Sequence, residues 1–138
     1  MNDYFVDTSY LLALELVNDQ NHLSAQSHWQ QLTAKLPPLV TTSYIFDEVV
    51  TYFNSRGHHQ KAVQVGNSLL HSPSIELIQV NDVLFHAGWD YFQKHQDKQY
   101  SLTDCISFVV MQQRGIQIAL TFDQHFLQAG FQREPISN

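Results

Sequence analysis

The chain reads as an α/β protein, a three-layer sandwich in which a central, mostly parallel sheet of four to five strands carries helices on both faces. Two observations predict this. Short apolar runs at residues 3–7, 39–41, 75–80 and 116–121 alternate with segments of helical periodicity, the pattern that parallel strands and their crossovers leave in a sequence. The first of these runs, Phe5-Val6, stops at a carboxylate, Asp7, and gives way through Thr8-Ser9 to a helix-like stretch. A strand that ends there delivers its acid to the crevice outside the carboxyl ends of the sheet, where open α/β folds bind their ligands. Taken alone, Asp7 reads equally well as the N-cap of the following helix.

After the first strand, Leu11, Leu12, Leu14 and Val17 mark the inward face of a helix over residues 9–17, and Asn18-Asp19-Gln20-Asn21 breaks it. A second helix, 22–35, carries Leu23, Trp29, Leu32 and Leu36, and Pro37-Pro38 stops it because proline cannot continue the hydrogen-bond ladder. Leu39-Val40-Thr41 is a short buried strand, after which Thr42 or Ser43 caps a third helix with the broad stripe Ile45, Phe46, Val49, Val50 and Phe53. Arg56-Gly57 ends that helix with a cation in the last turn and glycine just beyond. A fourth helix runs from His59 to Leu70, Ser72-Pro73-Ser74 breaks it, and residues 75–80 alternate as a strand. Asn81 or Asp82 caps a fifth helix over 83–95, in which Gly88 reads as a local weakness of about 1 kcal/mol relative to alanine.

Residues 96–100 form a loop, and Ser101 or Thr103 opens a sixth helix that is apolar on nearly every side until Gln112 and ends at Gly115. The run 116–121 is apolar enough to be central in a sheet. A short last helix starts at Phe122-Asp123 and ends near Gly130, and the tail to Asn138 either adds an edge strand or adds nothing. With right-handed crossovers, the simplest strand order that gives Asp7 and Asp123 a shared crevice is 3-2-1-4, an order that the sequence alone does not prove. That order sets the strand ending at Thr121 beside the one ending at Asp7, at the point where the chain reverses direction.

A chain of 138 residues, 43% of them hydrophobic, fits one domain over residues 1–138 with a single core. One cysteine, Cys105, forms no intramolecular disulfide and asks for no oxidising compartment. The N-terminus shows neither a signal-peptide pattern nor an apolar run long enough to span a membrane, so a cytoplasmic location is expected and no membrane partner. A net charge of −6 with only seven Lys and Arg argues against a strongly basic nucleic-acid module. A local groove or a bound cation can still receive phosphate on an acidic protein.

Four carboxylates are placed to converge: Asp7 after the first strand, Glu48 in the third helix, Asp104 in the first turn of the sixth, and Asp123 after the fourth strand. Asp104 interrupts a helix that is otherwise apolar, and a buried carboxylate needs a cation, a metal or hydrogen-bond donors. The alternative is an acid satisfied at a helix N-terminus by backbone N–H groups and the dipole. Glu48 projects at the margin of its stripe beside Ile45 and Tyr52, whereas Asp47 projects with Asn54 on the polar side. Several carboxylates in one crevice cannot all ionise cheaply without a cation. A hard divalent ion such as Mg²⁺ or Mn²⁺, held by oxygens, answers that need and brings metal-assisted hydrolysis at phosphorus within reach.

Four segments, Val6-Asp7-Thr8-Ser9, Glu48, Leu102-Thr103-Asp104-Cys105-Ile106-Ser107-Phe108 and Thr121-Phe122-Asp123-Gln124-His125-Phe126, resemble in order and spacing the motifs of PIN domains, and among those the VapC-type toxin ribonucleases. The resemblance spans nearly the whole chain. It implies a PIN-like sandwich and a metal-dependent endoribonuclease, with Asp7, Glu48, Asp104 and Asp123 as an acidic quartet around Mg²⁺ or Mn²⁺. Glu48 then binds metal or orients the attacking water. Thr8, Ser9 and Thr121 match accessory hydroxyl positions, and Ser107 lies one helical turn beyond Asp104; all four also serve as ordinary cap or turn residues. An RNA substrate, a small antitoxin and a homodimer are implied as partners.

Two other readings belong to different classes. A catalytically idle PIN-like scaffold would bind RNA or protein without needing the acids. A receiver or phosphatase-like phosphotransfer domain would need a second acid beside Asp7 or a lysine in the crevice, and Thr8-Ser9-Tyr10 suits it poorly. Neither the Rossmann nor the P-loop glycine fingerprint occurs. Eight histidines give no convincing chelating pair: His58-His59 are neighbours in a turn and point apart, and His125 sits on the first turn of a helix. Cys105 reads as a core residue, and Arg56, Lys94 and Lys98 are the candidate phosphate contacts.

Overall fold

A computed structural model describes residues 3–136. Met1, Asn2, Ser137 and Asn138, the ends of the predicted domain and tail, lie outside the described residues. Strands β1 (Tyr4–Val6), β2 (Leu39–Thr42), β3 (Ile75–Ile78), β4 (Ile118–Leu120) and β5 (Gln132–Glu134) form one sheet in the order 3-2-1-4-5. Every pairing in it is parallel. The helices are α1 (Thr8–Glu15), α2 (His22–Thr33), α3 (Ser43–Ser55), α4 (His59–His71), α5 (Asp82–Lys94), α6 (Leu102–Arg114) and α7 (His125–Gln128). The predicted order 3-2-1-4 is observed, and residues 132–134 of the tail add the fifth strand at the β4 edge.

Side chains that alternate along each strand divide the interior in two. Phe5 and Val40 enter the larger cluster with Ile45, Val49 and Phe53 of α3 and the buried face of α6. Val6, Leu39 and Leu120 enter the smaller one with Tyr10, Ala13 and Ala25 of α1 and α2. The sheet is therefore covered on both faces, and its central strands are apolar apart from the buried Thr41 and Thr42 at the end of β2.

Capping places the helix starts. Asn81 rather than Asp82 caps α5, accepting a hydrogen bond from Leu84 N at 2.9 Å, and Thr42 caps α3 through Ile45 N at 3.3 Å. Ser101 caps α6 in a reciprocal box with Asp104. Gly115 closes α6 with φ 67°, a left-handed conformation that glycine adopts without penalty. Two apolar residues expected to face inward do not. Val17 is 77% exposed and Leu23 76% exposed: Val17 lies beyond the end of α1 at Glu15, and Leu23 sits in the first turn of α2, whose buried residue is Ala25.

Gly88 proves to be a packing requirement rather than a weakness. A Cβ built there runs into Cγ1 of Ile106, so the absence of a side chain is what lets α5 lie close against α6. Overpacking of this kind costs about 1–3 kcal/mol, more than the roughly 1 kcal/mol that alanine gains in helix propensity. Gly88→Ala should accordingly lower stability by about 1 kcal/mol net, seen as a lower urea midpoint at unchanged slope. A higher midpoint would show that the two helices can move apart freely.

Candidate active site at the carboxyl ends of β1 and β4

The parallel register Val6↔Leu120 makes Asp7 and Thr121 neighbours, since each is the next residue on its chain. Asp7 is only 5% exposed and both sequence readings of it hold at once. As the N-cap of α1 it accepts from Ser9 N at 3.3 Å, and the same oxygen, Oδ2, accepts from Ser9 Oγ at 2.8 Å and from Thr121 Oγ1 at 2.7 Å. Ser9 Oγ in turn accepts from Phe122 N at 2.9 Å, and Thr121 Oγ1 accepts from Asp123 N at 2.9 Å. Two hydroxyls thus tie the end of β1 to the turn that carries the fourth predicted acid.

Asp104 arrives from the other direction, on the first turn of α6. Its Oδ2 accepts from Ser101 N at 3.2 Å while its backbone N donates to Ser101 Oγ at 3.0 Å, so the helix-terminus role is also real. That oxygen lies 3.1 Å from Nδ1 of His125, and Oδ1 of Asp123 lies 3.2 Å from the same nitrogen. Ligand atoms of Asp104, Asp123 and His125 all fall within 4.8 Å of one another. His125 held no ligand role in the sequence reading, which looked for paired histidines. The available signal was local: Asp123 accepts from His125 N at 2.9 Å, a tight turn of the kind an Asp favours, and this folds the imidazole back over the carboxylate two residues earlier.

Glu48 comes from α3 and accepts from Thr8 Oγ1 at 2.6 Å, which sets it at the rim beside the residue that follows Asp7. Asp47 instead accepts from Thr51 Oγ1 at 3.3 Å along its own helix. Ser107 is fully buried and donates to Thr103 O at 2.9 Å within α6. Arg56 spends its charge locally, with its guanidinium 3.6 Å from the Tyr52 ring centre and a hydrogen bond to Tyr52 O at 3.2 Å. Lys98 lies 3.9 Å from Asp97 Oδ2, and Lys94 is exposed in the last turn of α5.

Burial and like charge govern the electrostatics. Burial pushes the Asp7 carboxyl up to about 6; the hydroxyls of Thr121 and Ser9 oppose this, and the charges of Asp104 and Asp123 add to it. Asp104 is raised as well, by burial and then by Asp123, against the pull of Ser101 N–H and His125. The buried Cys105 thiol is held up at about 11 by burial and by Asp104, which rules it out as a thiolate nucleophile near neutrality. The charges that raise Asp7 are those of the other two acids, so the oxygens of this crevice fit a divalent cation, which would relieve the repulsion and complete their coordination.

A PIN domain family model matches residues 4–132. The chain is 35% identical over 127 residues to the 23S rRNA-specific endonuclease VapC20 of Mycobacterium tuberculosis strains H37Rv and CDC 1551, covering 92% of this chain and 94% of that one. The crystal structure of the M. tuberculosis VapC20 toxin, described as cleaving the sarcin-ricin loop, superposes with a TM-score of 0.84 at 33% identity, over 93% of this chain and 95% of that one. VapBC2 from Rickettsia felis, bound to a fragment of promoter DNA, shares the fold with a TM-score of 0.69 at 13% identity, over 96% and 97% of the two chains. The chain belongs to the PIN domain family, on its VapC branch.

The raised carboxyl of Asp7 makes a pH prediction. A folded-state value of about 6 against an ordinary 3.8 means that the fold favours the protonated acid. Its contribution is fully present below pH 4 and is lost as pH rises through 6, to the order of 3 kcal/mol. Without divalent metal, Asp7→Asn should therefore be more stable than the unsubstituted chain at pH 7.5 and lose that advantage at pH 4, as followed by thermal melts. Equal melting temperatures at both pH values would refute the buried, repelled state of Asp7.

Proposed function

We propose that this protein is a metal-dependent endoribonuclease, the toxin member of a toxin–antitoxin pair, and that it cleaves ribosomal RNA. The observation that carries this reading is the meeting of Asp7, Asp104 and Asp123 at the carboxyl ends of β1 and β4, with Glu48 at the rim. It is supported by 35% identity, across nearly the full length of both chains, to an endonuclease specific for 23S rRNA. On this reading the described residues act as one domain, which works as a homodimer in the cytoplasm, where its RNA is found, and is restrained by an antitoxin protein. No helix among the described residues is long and apolar enough to cross a membrane.

Mg²⁺ or Mn²⁺ is the ion the oxygens suit, with Asp7, Asp104 and Asp123 holding it and Glu48 either joining them or orienting water. Bound there, the ion supplies a more acidic water and a positive charge for the phosphate oxygens. The chain's own groups do the rest. Thr121 and Ser9 fix the direction of the Asp7 carboxylate through Oδ2, and the capping box with Ser101 fixes that of Asp104. Thr8 holds Glu48 by one oxygen, where its carboxylate can accept a proton from the attacking water as the new P–O bond forms and the old one breaks. With only seven Lys and Arg in the chain, the RNA phosphate is on this reading recognised chiefly at the metal site.

Incubated with ribosomes or total RNA, the purified protein should yield discrete fragments in Mg²⁺ or Mn²⁺ and none in EDTA. Asp104→Asn should cut the rate by about 100-fold or more with its melting temperature kept or raised. Cleavage that continues in EDTA, or full activity of Asp104→Asn, would sink the proposal.

A further inference from the structure

The geometry points to His125 as a nitrogen ligand of the ion in this site, which makes the site selective for Mn²⁺ over Mg²⁺. The inference rests on the metal-dependent reading above and adds to it a residue and a preference. Nδ1 of His125 lies 3.1 Å from Asp104 Oδ2 and 3.2 Å from Asp123 Oδ1. Donor atoms at about 2.1–2.2 Å on adjacent corners of an octahedron stand roughly 3.0 Å apart. Both separations match those of neighbouring ligands on one ion, so the nitrogen and each oxygen need little movement relative to one another to bind it.

The imidazole is held in that position from several sides. Its own backbone N donates to Asp123 Oδ1 at 2.9 Å. Its ring packs edge-on against Tyr100, centroids 5.4 Å apart, and Tyr100 packs edge-on in turn against the buried ring of Phe108 at 5.0 Å. The next residue, Phe126, is fully buried in the core and anchors the chain. The side chain is 29% exposed, which leaves an open side for substrate. A ring N–H shared between the two carboxylates would use the same distances, so the experiment must separate the two arrangements.

The donor set decides the ion. Mg²⁺ takes oxygen ligands almost exclusively, whereas imidazole nitrogen is an ordinary ligand for first-row transition ions. One nitrogen beside carboxylate oxygens therefore shifts the preference toward Mn²⁺ without closing the site to Mg²⁺.

The test is pulsed EPR of the full chain loaded with one equivalent of Mn²⁺, with melts and Mg²⁺ competition in parallel. The expected result is a directly coupled ¹⁴N that becomes a ¹⁵N pattern in protein grown on ¹⁵N-histidine. His125→Gln should lose the coupling and bind Mn²⁺ about 10-fold or more weakly, with Mg²⁺ affinity changed much less and the melting temperature of the apo protein nearly unmoved. Bound Mn²⁺ without nitrogen coupling, or coupling that persists in His125→Gln, overturns the histidine role and leaves the carboxylate site standing. No Mn²⁺ binding by the unsubstituted chain overturns the metal site itself. Should His125→Gln fail to fold, the isotope exchange together with His125→Asn decides the same question.

Discussion

The parallel pairing of β1 with β4 is the constraint on which the site depends. It sets Val6 opposite Leu120, and with that one register the first residue beyond each strand, Asp7 and Thr121, comes within a 2.7 Å hydrogen bond. A slip of one residue would reverse every side chain on the strand, sending Phe5 out of the larger core and breaking the link from Asp7 through Thr121 to Asp123. The apolar alternation that builds the two cores is thus the same feature that aims the carboxylates. The site is held by the packing of the sheet rather than by the turns alone.

The cost of that arrangement is electrostatic. Burial raises the pKa of Asp7, the hydroxyls of Thr121 and Ser9 that converge on one of its oxygens offset only part of this, and the two other acids that face it add to it. Among the described residues, every buried side-chain nitrogen or oxygen has a hydrogen-bond partner. The frustration therefore lies in charge rather than in unsatisfied hydrogen bonding, and charge is what a divalent ion corrects. Hydroxyls suit this setting better than lysines would: Thr8, Ser9 and Thr121 orient carboxylates without neutralising them, which keeps the oxygens available to a cation.

Asp104 is positioned by a different device. The capping box at Ser101 fixes the first turn of α6, and the close approach of α5 at Gly88 and Ile106 fixes where that helix lies. Tyr100, immediately before the cap, is buried against Phe108 and meets the His125 ring. The aromatic packing beneath the site and the polar contacts above it consequently share residues from 100 to 108 and from 121 to 126. A substitution of the buried rings in that layer, Tyr100 or Phe108, acts on stability and on site geometry together.

Much of this was determined by the sequence alone. The alternation of apolar runs with helical periods fixes an α/β sheet, and a carboxylate inside the apolar sixth helix marks Asp104 as a residue that needs a partner; the strand order was open in the sequence and followed only from the requirement that Asp7 and Asp123 share a crevice. Glu48 was separable from Asp47 by helical angle, because a position at the margin of a stripe is a property of one helix. Other features depended on what lies opposite. Val17 and Leu23 carry the apolar character of core residues but face solvent, since periodicity records a side chain's phase and not the presence of a neighbour. Gly88 looked like a defect until Ile106 was set against it. His125 was hidden for the same reason. Its meeting with Asp104 joins residues 21 apart in the chain, and only the folded sheet, by bringing the turn after β4 to the start of α6, places an imidazole between two carboxylates.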